Sequence, residues 1–277
     1  MVNTFGKAKK ERGKPQNTNK HKQYVSTIVD EVVKNSDIVL EVLDSRFIEK
    51  TRNIETEKKA EKLGKSILYV FNKADLVDVD KIKKEIEIWN LKPSLFFSAK
   101  KRKGSAALKK MIKIQASKLK KEIVNVGVIG YPNTGKSSLI NLLVGRAVSK
   151  ASSVSGYTKG FHKIKISQGI YLIDSPGIIP EQEKFAMQRG IVTKHSEIGA
   201  ISWEKARNPE MIVDKLIRDY PYILENHYEI DARGNSEILI EELGRRMHFL
   251  KKGDIVDEIR TSKQILKDWQ QGKIKVI

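Results

Sequence analysis

The sequence predicts an α/β fold in which a doubly wound, mostly parallel sheet is followed by a smaller helical domain. Apolar runs rich in β-branched residues alternate with amphipathic segments, a rhythm typical of strand, helix, strand units. One of these runs passes through a loop with two glycines directly into a helix, and short polar motifs follow three others. In such sheets the loops at the carboxyl ends of the strands form the ligand site.

Four strands are predicted within residues 37–45, 66–76, 94–100 and 123–130, and "FHKIKIS" with "GIYLIDSPG" is expected to form a hairpin. The fourth run is continuous enough in β-branched residues to lie inside a parallel sheet. Valine and isoleucine at helical spacing between Val25 and Val33 predict a helix before the first strand. "DVDKIKKEIEIWNL" predicts an amphipathic helix that begins at an Asp cap, and "KSSLINLLVG" a helix after the glycine loop.

The C-terminal hundred residues predict a small helical bundle. "NPEMIVDKLIRDY" is expected to form a helix capped by Asn208, with Ile212, Leu216 and Tyr220 on one face. The bundle core is expected to include Trp203 and an apolar stripe of the last helix: Ile255, Ile259, Leu266 and Trp269.

Charge is the most informative part of the composition. The chain has 53 Lys plus Arg against 34 Asp plus Glu, a net charge of +19, which indicates a polyanionic partner, with nucleic acid as the leading candidate. Residues 1–22 form a basic tail that we expect to be disordered when free. The run Lys100–Lys121 has basic residues and no acidic one. Alone, that run would more simply be the solvated face of a helix that buries Leu108, Ile112 and Leu119.

These features divide the chain into a tail (1–22), a nucleotide-binding domain (23–180) and a C-terminal helical domain (181–277). No run of about 18 apolar residues and no secretory signal pattern is encoded, so we expect no membrane span and a cytoplasmic location. The absence of cysteine excludes disulfides and argues against a structural zinc site.

"GYPNTGKS" has the spacing of a phosphate-binding loop in its required context, after a strand and before a helix. Gly130 and Gly135 let the backbone curl so that its N–H groups face phosphate oxygens. Lys136 would neutralise the β and γ phosphates, and the Ser137 hydroxyl would bind Mg²⁺.

"DSPG" supports this interpretation. Asp174 follows Lys136 by 38 residues, at a predicted strand end where its carboxylate can hold Mg²⁺ through water. The Gly177 N–H would meet the γ phosphate.

"NKAD" predicts selection of guanine. The Asp75 carboxylate can accept two hydrogen bonds from the N1–H and 2-amino edge of guanine, whereas adenine offers no matching donors. Asn72 would join this loop to the phosphate loop, and the Lys73 stem would cover the base. "SAK" would complete the base site, with the Ala99 N–H on the guanine carbonyl oxygen. The residues expected to contact the nucleotide are Asn72, Lys73, Asp75, Ser98, Ala99, Lys100, Asn133, Thr134, Gly135, Lys136, Ser137, Ser138, Asp174 and Gly177.

The order of the motifs is a permutation of the usual GTPase order, because "NKAD" and "SAK" precede the phosphate loop. A parallel sheet can be cut at one loop and its old ends rejoined if those ends lie close together. Here the join is "KLKKEIVN" and the cut falls after "DSPG". The segment after Asp174 therefore leads into the C-terminal domain, which the nucleotide state could move.

At these motifs the chain resembles the circularly permuted GTPases of the YlqF/YawG family (MMR1/HSR1 type), ribosome assembly factors that act on the large subunit. "LEVLDSRFIEKTRN" is similar to the family's D-A-R-x-P segment, with Ser45 in place of Ala and without the Pro. The ending "DWQQGKI" is similar to the D-W-Q-x-G-[KR]-[IL] tail of the nucleolar branch. The bacterial branch's N-terminal W-F-P-G-H-M is missing, and we expect His21 and His195 to be surface residues.

The resemblance implies further roles. Ile178 stands where many GTPases have a water-orienting Gln, which implies slow intrinsic hydrolysis and K⁺ dependence, with Asn133 as the K⁺ ligand. Thr158 matches the switch threonine that joins Ser137 and Asp174 on Mg²⁺. Lys136, Thr158 and Gly177 are the candidate catalytic residues.

The family further implies binding of ribosomal RNA or a large-subunit precursor, by a protein we expect to be a monomer. Candidate phosphate ligands in the C-terminal domain are Arg245, Arg246, Lys251 and Lys252. Two alternatives are a GTP-gated RNA-binding module in which turnover matters little, and a GTPase that assists RNA modification.

Overall fold

The fold is described from a computed structural model, which covers residues 28–145, 163–175 and 193–276. The predictions for the basic tail, His21, Thr158, Gly177 and Ile178 fall outside these residues, as does the predicted domain boundary at 180.

The centre of the protein is a six-stranded sheet in the order β3-β2-β1-β4-β6-β5. All neighbouring strands are parallel except β5, which pairs antiparallel with β6 as the predicted hairpin. The strands are β1 (Ile38–Asp44), β2 (Ser66–Asn72), β3 (Ser94–Phe96), β4 (Val124–Ile129), β5 (Lys163–Ser167) and β6 (Ile170–Asp174).

The chain runs outward from the middle of this sheet in both directions. From β1 it proceeds through β2 to the edge strand β3, and then returns to the middle at β4. All seven residues of β1 are buried, as expected for a strand covered on both faces. The crevice between β1 and β4, where the strand order reverses, is the place where doubly wound sheets bind ligands.

Six helices of the described residues accompany the sheet. Their bounds are α1 (described over residues 28–35), α2 (Ile48–Thr51), α3 (Ile54–Lys62), α4 (Val79–Ile88), α5 (Ser105–Lys118) and α6 (Lys136–Val144). The predicted Asp cap of α4 is confirmed, because Asp78 Oδ1 accepts a hydrogen bond from Asp80 N at 3.0 Å. In the basic helix α5, Leu108 and Ile112 are fully buried as predicted, and Leu119 is partly buried against the same core.

From residue 193 onward, where the structure describes the C-terminal part, five helices pack around one apolar core, and a two-stranded antiparallel sheet that the sequence did not predict accompanies them. The elements are α7 (Thr193–Glu197), α8 (Pro209–Asp219), α9 (Ile223–Tyr228), α10 (Ser236–Arg246), β7 (Leu250–Lys251), β8 (Ile255–Val256) and α11 (Glu258–Gln270). Trp269 is fully buried in this core, and Trp203 packs against it partly buried. Phe47 and Tyr131, from the sheet part, are buried in the same core.

Three predictions for this part were wrong. Ile255 and Ile259 are 63% and 52% exposed, because Ile255 belongs to β8 and α11 begins only at Glu258, after the Asp257 cap. Asn208 does not cap α8 with its side chain, since its backbone lies in the left-handed region and Pro209 opens the helix. His195 is buried rather than at the surface.

Within the described residues, none of the helices is both long enough and apolar enough to cross a membrane.

Candidate functional site

The carboxyl ends of β2, β3 and β4 open onto one cavity of about 560 Å³, a size within the usual range for small-molecule sites. It is lined by Asn72, Lys73, Asp75, Leu76, Ala99, Lys100, Asn133, Gly135, Lys136, Ser137, Ser138, Gln270 and Gln271. The "NKAD", "SAK" and phosphate-loop motifs therefore meet in one place, as their positions at strand ends predicted. Of the predicted contact residues that the structure describes, Ser98, Thr134 and Asp174 are not in this lining, and Ser98 and Thr134 are buried behind it.

The phosphate loop has the backbone that its glycines predict. Gly130 and Gly135 have φ angles of 144° and 98°, in the region that favours glycine, and α6 begins at Lys136. A Cβ at Gly130 would lie 2.4 Å from the Val42 carbonyl oxygen, so the loop also needs glycine to pass β1 closely. This arrangement directs the amino end of α6 and its dipole toward the cavity.

Lys136 is buried beneath the loop. Its Nζ donates hydrogen bonds to the carbonyl oxygens of Gly130 at 3.0 Å and Tyr131 at 2.8 Å. Burial lowers the pKa of Lys136 to about 8, and the Asp174 carboxylate partly offsets that effect. Burial in turn raises the pKa of Asp174, which Lys136 and the Ser175 N–H oppose. The two side chains are therefore electrostatically coupled at the end where phosphates are expected.

The base-reading loop is connected to both neighbouring loops through Asn72. Its Nδ2 donates to the Thr134 carbonyl oxygen at 2.7 Å, which is the predicted connection to the phosphate loop. Its Oδ1 accepts from the Ala99 N–H at 3.1 Å, so this N–H, predicted to face guanine, already has a partner here. The Ser98 hydroxyl donates to Asp75 Oδ1 at 2.5 Å and so orients the carboxylate predicted to read the base.

Asp44, to which the sequence analysis gave no role, stabilises the base-reading loop through Lys73. Asp44, fully buried, accepts hydrogen bonds from Lys73 Nζ at 2.7 Å and from Arg46 Nη2 at 2.8 Å, both on Oδ2. Arg46 Nε also donates to Asp44 Oδ1 at 3.1 Å, and the remaining guanidinium nitrogen, Nη1, donates to the Trp269 carbonyl oxygen at 2.7 Å. One ionic cluster therefore joins the base-reading loop to the end of α11.

Burial alone would raise the pKa of Asp44, but Arg46 and Lys73 outweigh burial and hold this pKa well below its usual value. A carboxyl with a depressed pKa contributes stability above its unfolded pKa and loses it as the pH falls. Asp44 is therefore ionised at every pH near neutrality and stabilises the fold there.

A second connection to the C-terminal part begins in the phosphate loop. Asn133, the predicted K⁺ ligand, donates from Nδ2 to the Gly199 carbonyl oxygen at 2.6 Å. Gln270 and Gln271, which also line the cavity, come from the far end of the chain. Sequence reasoning missed Asp44, Arg46, Gln270 and Gln271 as site residues. In the sequence, only the similarity of the "DSR" and "DWQQG" segments to motifs of the family pointed to these residues.

The Asp44 cluster gives a stability prediction. Asp44→Asn leaves the buried Arg46 and the partly buried Lys73 without their shared anion, and breaking a buried pair typically costs about 3–5 kcal/mol. We expect a loss of that order in the free energy of unfolding measured with urea at pH 7, together with weaker GDP binding. Asp80→Asn, which removes an exposed partner of Lys83, is the matched control and should leave the unfolding midpoint unchanged. Equal midpoints for the two variants would contradict the role given to Asp44.

Lys136 gives a pH prediction. Its ammonium must be charged to bind phosphate, so the affinity for GDP should fall as the pH rises through about 8, by up to about ten-fold per pH unit. Because the pKa of the folded state lies below the ordinary 10.5, the stability of the nucleotide-free protein should rise over the same window.

Calorimetric titration with GDP at pH 7, 8 and 9 measures this slope. Lys136→Arg is the control, because arginine stays charged over this range. Ionisation of guanine itself affects both proteins equally, so a difference between their slopes of affinity against pH reports on Lys136. The same slope in both proteins would show that Lys136 does not titrate there.

Comparisons with known proteins agree with this geometry. The family model described as "50S ribosome-binding GTPase" matches residues 125–225. An uncharacterized GTP-binding protein of Methanocaldococcus jannaschii is 36% identical over 254 residues, which cover 90% of this chain and 66% of that protein. Nucleolar GTP-binding protein 2 of Saccharomyces cerevisiae is 35% identical over 257 residues, which cover 88% of this chain. The chain spans about half the length of this yeast relative.

Among solved structures, GNP-bound YlqF from T. maritima superimposes with a TM-score of 0.63 at 20% identity, covering 91% of this chain and 97% of YlqF. The GDP-bound form of YlqF gives a TM-score of 0.62. At this identity the match shows the fold, including the circular permutation. Together with the family model and the sequence relatives, it shows that the chain belongs to the MMR1/HSR1-type GTPases and has the circularly permuted fold of YlqF.

Proposed function

We propose that this protein is a GTP-binding and GTP-hydrolysing switch that binds ribosomal RNA and assists assembly of the large ribosomal subunit. One observation carries the proposal: the base-reading loop, the phosphate loop and the end of the C-terminal part line the same cavity. A nucleotide there touches both parts of the protein, so GTP and GDP can favour different arrangements of them. The ribosomal role is supported by the family description and by the name of the yeast relative.

The residues present suit Mg²⁺. Asp174 Oδ1 is buried and has no hydrogen-bond partner among the described residues, which leaves a carboxylate oxygen for a cation beside Lys136. Carboxylate and hydroxyl oxygens are ligands that Mg²⁺ accepts together with phosphate oxygens. We assign Ser137 and Asp174, with Thr158, to hold the ion, whose charge would neutralise the phosphates during hydrolysis.

Hydrolysis by this set of residues is proposed to be slow without a partner. Ile178 cannot form a hydrogen bond to the attacking water, so the rate depends on charge stabilisation by Lys136, by the Gly177 N–H and by K⁺ near Asn133. The Oδ1 atom of Asn133 would bind K⁺, since its Nδ2 already donates to Gly199.

The residues first proposed to bind RNA phosphates are partly engaged within the protein. Arg245 bonds to Glu241 at 2.8 Å and lies 3.2 Å from Asp254, and Arg246 donates to backbone carbonyl oxygens of Tyr228 and Glu229. Lys251 and Lys252 are exposed, although Lys251 lies 3.5 Å from Asp257. We therefore propose another surface as the main contact with RNA.

That surface is the basic aromatic face, defined as Arg260, Lys263 and Lys267 of α11 with Phe249 and Trp203. The Arg260 guanidinium lies 4.1 Å from the Phe249 ring centroid, and Lys267 Nζ lies 5.1 Å from that of Trp203. Lys263 Nζ donates to the Glu204 carbonyl oxygen at 3.2 Å, a single bond that leaves its other ammonium hydrogens for phosphate. Spacings of three and four residues place the three cations on one side of the helix. Arginine and lysine beside aromatic rings suit an RNA strand, which offers phosphates and stackable bases.

A monomeric state and a cytoplasmic location remain predictions.

The switch is tested by GTP hydrolysis in KCl and in NaCl, each with and without purified large ribosomal subunits of the source organism. We expect the highest rate with subunits and K⁺ together, because each supplies stabilisation that Ile178 cannot. Asn133→Ala should give equal rates in the two salts, and Lys136→Ala should lose activity in both. Stimulation by tRNA but not by subunits would instead favour a GTPase that assists RNA modification.

The RNA surface is tested with Lys263→Gln/Lys267→Gln and labelled fragments of large-subunit rRNA. Loss of two phosphate contacts should lower the slope of log affinity against log salt by about 1.5. The matched control is Lys81→Gln/Lys84→Gln, which neutralises two exposed lysines of α4 and should keep the slope of the unmodified protein. Equal slopes for the two variants would exclude the basic aromatic face as the contact.

A further inference from the structure

The "DWQQG" segment at the end of α11 lies in the wall of the nucleotide cavity, where Gln270 and Gln271 line it. We propose that the side-chain amide of Gln271 binds the nucleoside half of the guanine nucleotide. This inference rests on the proposed function of the cavity and adds to it a ligand from the C-terminal part.

The start of the segment is fixed by polar contacts. Asp268, buried, accepts hydrogen bonds from Lys273 Nζ at 2.6 Å and from Gln264 Nε2 at 2.9 Å. Trp269 donates from its indole nitrogen to the Glu197 carbonyl oxygen at 2.9 Å, while its own carbonyl accepts from Arg46. The backbone that carries the two glutamines is therefore held before any ligand binds, which limits the entropy that a ligand contact would cost.

The two glutamines are engaged differently. The Gln270 amide donates to the carbonyl oxygens of Ser196 at 2.7 Å and Ile201 at 3.0 Å, and accepts from the Trp203 N–H at 3.0 Å. Its hydrogen-bonding capacity is largely used, so Gln270 connects α11 to the preceding segment. The Gln271 side chain is exposed at the cavity and makes no hydrogen bond to any residue in the described ranges.

The position of Gly272 places Gln271 at the nucleoside end of the cavity. Gly272 has a φ of 69°, and a Cβ there would lie 2.4 Å from Leu76 Cδ1. Leu76 directly follows Asp75, the residue predicted to read guanine, whereas the phosphates are expected near Lys136. A carboxamide both donates and accepts, as the edges of guanine and the hydroxyl groups of ribose require.

The test is the affinity of Gln271→Ala for GDP and for GTPγS, measured by calorimetry at pH 7. We expect both dissociation constants to rise by the same factor, about five-fold, as for one lost hydrogen bond. The backbone N–H of residue 271, which donates to the Lys267 carbonyl oxygen, is kept in this variant. The melting temperature without nucleotide should therefore stay unchanged.

Gln168→Ala, in the exposed turn between β5 and β6, is the matched control and should bind both nucleotides like the unmodified protein. A change of less than two-fold in Gln271→Ala would overturn the proposal, and so would a larger loss for GTPγS than for GDP, which would indicate a phosphate contact. If the unmodified protein binds neither nucleotide, it is the proposed function of the cavity that fails.

Discussion

The shared carboxylate of Asp44 is the interaction on which the arrangement of the site depends. Without that anion, the Arg46 guanidinium and the Lys73 ammonium would repel each other in a place from which water is largely excluded. With it, the backbone after β1 turns so that Phe47 enters the core of the C-terminal part and stacks on Trp269 with ring centroids 5.9 Å apart. Electrostatics and apolar packing therefore hold the same junction.

The permuted chain order places these contacts where they can act on the ligand site. Because β1 and β4 are neighbours in the sheet although some 80 residues separate them, the loop after β1 lies beside the phosphate loop. Both loops have a side chain that reaches the C-terminal part: Arg46 reaches Trp269, and Asn133 reaches Gly199. The C-terminal part is thus attached to the site from two sides.

The strands and nucleotide motifs could be predicted from sequence because their signals are local. A buried strand shows as a continuous apolar run, and the spacing of the "GYPNTGKS" glycines fixes the loop that follows it. Contacts between distant segments gave no such signal, which is why Asp44 was left without a role and Gln271 was not seen as a site residue. The spacing of Ile255 and Ile259 imitated a helical stripe, but a turn at Gly253, with positive φ, makes a hairpin there instead. His195 was misplaced because a lone polar residue in a sequence does not show which side of a short helix is covered.

Because Arg46 and Asn133 attach the C-terminal part to the site, nucleotide affinity and the position of that part depend on each other. If a bound nucleotide stabilises the docked position of α11 by some factor, any partner that prefers that docked position must tighten nucleotide binding by the same factor. A partner that binds the C-terminal part only when it is displaced must, by the same thermodynamic cycle, weaken nucleotide binding. Whether a partner raises or lowers the affinity for nucleotide is therefore set by which face of the C-terminal part it covers, even when it never touches the nucleotide.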